Sequence, residues 1–438
     1  MSYYGNETFV KCAEEQKRYD ECSSLRICVL SGADLEFYVK ANFPPEFFFV
    51  MNATVQVSDE AMLNSITANN CNVIPLPRIM LSSDGHIASE IYPDYVVGEH
   101  ILITIPLSTI TRGDDSEFSS VIELVVQSLF YGEEQGLTKD VSRCNSTIPI
   151  AGNVSDLSFM NAVYCVGSYR DIIGSVGEYS GMNQINNGST GMLYPPRWGD
   201  LNNEPLYQSM IDHIYFDEIK RRGHLRCGVV TPIGYLGGNI SEKSDMIVGM
   251  SADYCRAFSA AIFYGQTDNV EFTTFVDGDD SAFNALATSA IDVLAGVKVD
   301  LAYLFPTDSH AGFHFSEPFY YGNERDYYSI AVSNDNSFLY SFVDAVVLAP
   351  VYALTKGITR ESSEQMPLAP IFGNNVNWAL RDAVQAIGNW NELYEKNFQS
   401  DALLDSSSRG RNALNDGGPK LHSFPLSNID PLTKALSL

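Results

Sequence analysis

The sequence predicts an α/β protein built from two small parallel-sheet units, and three observations carry that expectation. Short apolar runs bounded by turns alternate with helical patterns over 25–77, and the same alternation returns over 225–296. Several phrases also recur along the 438 residues at fixed offsets, so the chain contains copied segments. Finally, apolar residues make up 45% and charged residues 18%, a balance that supports packed cores and excludes a disordered chain.

The first unit opens with "LRICVL" (25–30), a buried-strand pattern followed by a Gly-Ala-Asp turn. "FFFVMNATVQV" (47–57) is aromatic and β-branched, again a strand. "SDEAMLNSITANN" (58–70) reads as a helix capped by Ser58, with Ala61, Leu63 and Ile66 at helical spacing, and "NVIPLP" (72–77) as a third strand. Strand, helix, strand in this order implies parallel pairing with right-handed crossovers.

The second unit repeats the logic. "LRCGVV" (225–230) is a strand, "SADYCRAFSAAIFYG" (251–265) a helix ending at Gly265, and "VEFTTFV" (270–276) a strand. "DSAFNALATSA" (280–290) places Phe283, Leu286, Ala287 and Ala290 on one face, and "IDVLAG" (291–296) supplies the next strand. "WALRDAVQAIGNWNELYEKNF" (378–398) has one amphipathic helical pattern with a single Gly interruption, and 176–206 reads as surface loop.

The copied phrases explain the order of these units. "YYGNE" occurs at Tyr3–Glu7 and again at Tyr320–Glu324, an offset of 317. "GLT" (136–138) answers "GIT" (357–359), and "NAVYCVGSYRDI" (161–172) answers "DAVQAIGNWNEL" (382–393), both at an offset of 221. "GMNQINNGSTGMLYPP" (181–196) likewise pairs with "GRNALNDGGPKLHSFP" (410–425). The offsets 317 and 221 differ by 96, so the second copy lacks roughly residues 13–108 of the first, and 207–318 has no earlier counterpart.

The formal charge of 27 − 54 = −27 argues against nucleic acid or an anionic membrane as partner. No apolar run approaches ~20 residues, the best stretch (342–354) being broken by Asp344, so no transmembrane segment is expected. No signal peptide precedes the first structured turn, and the native N-terminus is expected to lie upstream. Six sequons, at Asn6, Asn52, Asn145, Asn153, Asn187 and Asn239, exceed chance and point to a secreted glycoprotein. Eight cysteines allow 105 pairings. Cys144 and Cys165 map onto Gln365 and Ala386 and are lost together in the second copy, as a bonded pair would be, and Cys12 and Cys22 are likewise both absent there. Cys28 with Cys71 and Cys227 with Cys255 flank the two strand–helix–strand stretches, so four local bridges in an oxidising compartment are the economical reading.

"RRGHLRCGVV", "GMSADYCRAFSAAIFYGQTDNVEFTTF" and "FNALATSAIDVLAG" resemble the first lobe of the family 3 extracellular solute-binding proteins, in particular general amino-acid binding proteins of ABC transporters. "SLRICVLSGADLEFYV", "NNCNVIP" and "IPLSTITRGDDSEFSSVIELVVQSLFYGEEQGLT" resemble that family's second lobe and its return, and "GMNQINNGSTGMLYPPRW" its C-terminal tail. The resemblance implies a periplasmic-binding-protein-like type II fold, two lobes joined by crossing strands. A "YY-G" phrase closes the family's first lobe. Residues 1–24 are thus expected to end a missing first lobe, and 25–105 to form a second lobe. Residues 106–206 would be the return segment and linker, 207–325 a fresh first lobe, and 326–438 the return helices and tail of the second copy. The lobe order is rearranged.

The resemblance also indicates where a ligand would sit, and the chain departs from it at each position. The family's Asn-Thr-Thr-Trp run with a nearby Arg becomes Val297, Lys298, Val299 and Asp300. Its Gly-Thr turn becomes Gly32, Ala33, Asp34, and its amine-binding Asp aligns with Pro77, followed by Arg78. Lys298 with Asp300, or Arg78, is a candidate replacement for the lost cation. Asp34 also suits a helix cap. Thr231 and Tyr235 follow the first strand of their lobe, at the edge where open α/β sheets bind ligands.

Other motifs give no chemistry. "RGD" (112–114) leads into a helical pattern and fits capping better than adhesion. His310 and His314 have metal-like spacing with Gly312 between them, and "DGDD" (277–280) lacks the Gly and Glu of a calcium loop. With no G-x-S-x-G, P-loop or catalytic constellation, an enzyme is not expected, nor a metal or other cofactor. The expected function is a secreted receptor for a small polar molecule, extracellular or, in a bacterium, periplasmic. The alternative is a degenerate fold serving as a structural or interaction module, with a membrane protein or the extracellular matrix as partner.

Overall fold

The computed structural model describes residues 2–15, 22–30, 39, 43, 45–51, 70–76, 95–99, 108–112, 116–144, 159–174, 184–186, 192, 214–231, 239–240, 247–277, 280–299, 303, 312–322, 326–334, 337–398 and 410–415. The expected helix 58–70 and most of the 176–206 loop lie outside them. The chain divides into two compact units, 1–109 with 173–179, and 110–172 with 180–438.

The first unit contains β1 (Ser2–Asn6), α1 (Glu7–Glu15), β2 (Ile27–Leu30), β3 (Phe48–Met51), β4 (Val73–Leu76) and β5 (Tyr95–Val97). Its sheet runs β3-β2-β4-β1-β5, with β3, β2 and β4 parallel and β1 antiparallel to both β4 and β5. β1, within residues 1–24, lies inside the sheet of 25–105, between β4 and β5. Tyr3 and Tyr4 are buried in it. Gly5 lets β1 lie on the Asn72 carbonyl, where a Cβ would collide with backbone. Asn72 in turn accepts from the Arg26 amide (2.8 Å) and donates to the Ser24 carbonyl (2.7 Å), registering β4 on β2. Asn6 Oδ1 caps α1 through the Thr8 amide at 3.1 Å.

The second unit begins with α2 (Ser116–Glu134), α3 (Phe159–Val166) and α4 (Tyr169–Gly174), then α5 (Ile214–Arg222). β6 (Leu225–Thr231), a short hairpin of β7 (Asn239–Ile240) and β8 (Ile247–Val248), α6 (Met250–Ile262), β9 (Val270–Val276), α7 (Ser281–Ala287) and β10 (Val293–Lys298) follow. The unit closes with β11 (Phe313–Phe315), β12 (Tyr320–Tyr321), β13 (Tyr327–Ser333), α8 (Ser337–Thr355), α9 (Ala379–Ile387) and α10 (Trp390–Phe398). Its main sheet runs β11-β13-β10-β6-β9, with β12 on β13; β10, β6 and β9 are parallel, and β13 and β11 antiparallel. Each main sheet therefore has three adjacent parallel strands and one strand that runs against them, β1 in the first and β13 in the second. The mixed α/β architecture with two sheets agrees with the expected class.

Local chemistry accounts for the boundaries. α6 is almost wholly buried and ends at Phe263, with Tyr264 (φ 54) and Gly265 (φ 85) turning the chain away. The 378–398 pattern forms two helices, not one, because Gly388 takes φ 86 and closes α9. α8 corrects the reading of its apolar stretch: Phe338–Thr355 is long and apolar enough to cross a membrane, with 56% of it buried inside the fold. Averaged over 18 residues, a lone Asp344 does not cancel the surrounding Val, Leu and Phe. Within the unit, Phe342, Val343, Val346 and Val347 of α8 join the core with Trp390, Tyr254 and Phe319.

Among the described residues all eight cysteines are paired. The bonds are Cys12–Cys22, Cys28–Cys71, Cys144–Cys165 and Cys227–Cys255, the four expected from the sequence.

Candidate ligand-binding edge

The C-terminal ends of β6, β9 and β10 come together at one edge of the parallel sheet, the place where open α/β sheets take ligands. Thr231 closes β6, and its Oγ1 donates to the Phe275 carbonyl of β9 at 3.1 Å. The Asp277 amide returns a bond to the Thr231 carbonyl at 2.9 Å, so the two strand ends are stitched together. The Thr231 hydroxyl proton is thereby committed to the scaffold.

Lys298 closes β10. Its Nζ lies 3.2 Å from Asp326 Oδ1 and 5.9 Å from the centroid of the Tyr328 ring, its cross-strand neighbour in β13. The Lys298 and Asp326 side chains are 43% and 45% exposed, so solvent and a solute can reach both. A bulge between Ala295 and Val297, at Gly296 with φ 83, turns the strand end and sets this register. Burial, then Asp326, Asp277 and Tyr320, push the Tyr328 phenol well above its usual range, so it stays a neutral hydroxyl. Beside the same strand ends, Tyr303 stacks on Phe283 of α7 (3.9 Å between centroids, 8° between planes) and donates to Asp280 at 2.6 Å.

The sequence named Thr231 and Lys298 in this group but missed Asp277, Asp280, Tyr303, Asp326 and Tyr328. Tyr235, Asp300, Asp34 and Arg78 lie outside the described residues, as do Asn52, Asn145, Asn153, Asn187, His310 and Asp114. Asn239 starts the short strand β7, paired with Val248. His314 is buried in β11, stacked on Tyr340 at 4.7 Å, and burial drops its pKa from 6.5 to about 4. Among the described residues no group of three or more His, Cys, Asp or Glu side chains is placed to hold a metal.

A separate open groove of about 520 Å³ is lined by Arg360, Glu361, Ser363, Glu364, Arg381 and Gln385. Its lining residues are charged or polar and lie away from the strand ends at which open α/β sheets take ligands, so the strand-end cluster is the better candidate.

No family model matches the sequence, and no curated protein matches it. Among solved structures, the chain is similar to an ABC transporter/periplasmic binding protein from Brucella ovis with glutathione bound. That match has 15% identity and a TM-score of 0.37, over 47% of this chain and 99% of that one. It is also similar to a cysteine-binding protein from Campylobacter jejuni, at 22% identity and a TM-score of 0.18. That second match spans 24% of this chain and 38% of the other. The solute receptor for L-cysteine of Neisseria gonorrhoeae gives 19% identity, a TM-score of 0.18 and the same coverages, 24% and 38%.

Proposed function

We propose that the chain is a non-enzymatic, periplasmic-binding-protein-like receptor that works in an oxidising compartment and takes a small polar solute at the ends of β6, β9 and β10. One observation carries the reading: a solvent-reachable Lys298–Asp326 pair stands beside a neutral Tyr328 and near Asp277 where the parallel strands end. Polar groups convergent at such an edge are what orient a small ligand. The four disulfides support secretion or export.

The charges also select the solute. A free carboxylate approaching Lys298 must displace Asp326, and among the described residues no guanidinium fork stands beside the pair, so a simple α-amino acid should bind weakly. Asp277 and Asp326 around a single Lys favour a solute that carries a positive group and hydroxyl or amide functions. The neutralisation of Lys298 by Asp326 also favours a second reading, a structural or interaction module without a solute.

A thermal-shift panel separates the two. It would contain amines, aminated and plain sugars, free amino acids, cysteine and glutathione, the last two being ligands named for the compared structures. A solute present at 100 times its Kd stabilises the fold by about 2.7 kcal/mol. The receptor reading expects at least one positively charged polar solute to do so, with the shift lost in Asp326→Asn. A flat panel favours the module.

A further inference from the structure

The helix ends of the two copies recur bond for bond at the 221-residue offset. Gly136 (φ 66) and Gly357 (φ 67) stand just beyond α2 and α8. In both copies the next amide turns back to the helix, Leu137 to the Gly132 carbonyl at 2.7 Å and Ile358 to the Ala353 carbonyl at 2.8 Å. Gly167 and Gly388 close α3 and α9 in the same way, their amides donating to the Val163 and Val384 carbonyls at 2.8 and 2.7 Å. The turns that follow are capped alike, by Asp171 on the Ser168 amide (2.9 Å) and by Glu392 on the Asn389 amide (2.8 Å).

The copies differ in what ties the segment after the first helix to the second. In the second copy, Asn389 Nδ2 donates to the Ile358 carbonyl at 2.8 Å, and the Arg360 amide donates to Glu392 Oε2 at 3.0 Å. Ser168 and Asp171 hold these positions in the first copy and are shorter. Among the described residues their side chains bond each other and not 137–139. The tether of the first copy is instead Cys144–Cys165, where the second copy has Gln365 and Ala386. Beside it, the Asp140 amide donates to the Tyr164 carbonyl at 3.0 Å, and Arg143 lies 5.5 Å from the centroid of the Tyr164 ring.

This bridge also differs from the other three in access. Cys144 and Cys165 are half-buried, whereas the other six cysteines are at most 5% exposed. Exchange requires an attacking thiolate to reach a sulfur, so Cys144–Cys165 is open to it in the folded chain and the buried bridges react only after local opening.

We propose that Cys144–Cys165 is a redox clip, opened by a small thiol, that holds 137–144 on α3 where the second copy uses hydrogen bonds. A thiolate attacks one of the two sulfurs, the S–S bond breaks, and the other cysteine leaves as a thiolate and takes up a proton. A second thiolate attacks the mixed disulfide, forms the disulfide of the small thiol and releases the second cysteine. Two thiols thus supply the two electrons. The bonds at Gly136 and Gly167 do not involve the bridge, so the helices keep their ends and the 137–144 segment alone loosens.

Titration of the folded full chain with glutathione, trapping of free thiols by alkylation and mapping of the cysteine peptides tests the clip. Cys144 and Cys165 should become labelled while the other three bridges remain closed. In that partly reduced chain, hydrogen exchange should show loss of protection at the amides of 140–144 and no change at their counterparts 361–365. Ser168→Asn with Asp171→Glu, which installs the cross-bonds of the second copy, should restore protection in the reduced chain. Opening of a buried bridge before Cys144–Cys165 or together with it overturns the proposal, as does unchanged protection of 140–144 once Cys144–Cys165 is open.

Discussion

Replacing Asp292 with Ala should be among the most damaging single changes outside the apolar core. Asp292 begins the turn into β10, and its side chain is fully buried. Oδ2 accepts from the Arg226 amide at 2.8 Å and from the Arg222 guanidinium, while Oδ1 accepts from Arg226 Nη2 at 2.8 Å. One carboxylate thus ties the end of α5, the start of β6 and the start of β10. Removing one partner of a buried pair costs about 3–5 kcal/mol, because a charge is left without compensation. Here Arg222 and Arg226 retain 19% and 27% side-chain exposure, so water recovers part of the loss. The expected destabilisation is at the low end, about 3 kcal/mol. Urea denaturation followed by tryptophan fluorescence, to which Trp390, fully buried in the same core, contributes, should show a lower midpoint at unchanged slope. A loss below about 1 kcal/mol, the scale of an exposed pair such as Lys298–Asp326, would refute the reasoning.

Removing Cys227–Cys255, which closes 28 residues between β6 and α6, should cost about 3–4 kcal/mol on the loop-entropy scale, measured in the double Ala variant. Gly388→Ala forces φ 86 on a residue with a Cβ and brings that Cβ to 2.8 Å from Glu392 Cβ, so it should lose about 2 kcal/mol. Gly357→Ala, at φ 67 in open space, should lose only about 1 kcal/mol, and equal losses would contradict the packing argument. His314 titrates near 4 when folded and near 6.5 when unfolded, so its contribution is present above pH 6.5 and is lost as pH falls through 4. His314→Phe should therefore flatten the stability curve between pH 6.5 and 4 by up to about 3 kcal/mol. An unchanged curve would count against a neutral buried imidazole.

The central strand β6 was legible as "LRCGVV", an apolar run that is mostly buried, whereas the edge strand β9 was legible from the aromatic and β-branched residues of "VEFTTFV" although none of them is fully buried. Two cysteine pairs, Cys12–Cys22 and Cys144–Cys165, were legible because the second copy loses their members together, and the other two because they flank the strand–helix–strand stretches. The ligand edge was only half legible. Lys298 meets Asp326 through the β10–β13 pairing, whose register shifts at the bulge around Gly296, and strict alternation cannot anticipate an inserted residue. The glycine inside a strand pattern was the available signal. Asp277 and Tyr303 join through chain turns of no periodic pattern.

Hydrogen exchange with and without the stabilising solute of the panel measures directly where a solute sits. The segments 229–231, 276–277, 297–299 and 326–328 should slow together on adding the solute, and Asp326→Asn should abolish the effect. Protection confined to the groove at Arg360 and Arg381, or no local protection at the four strand-end segments, would contradict the account.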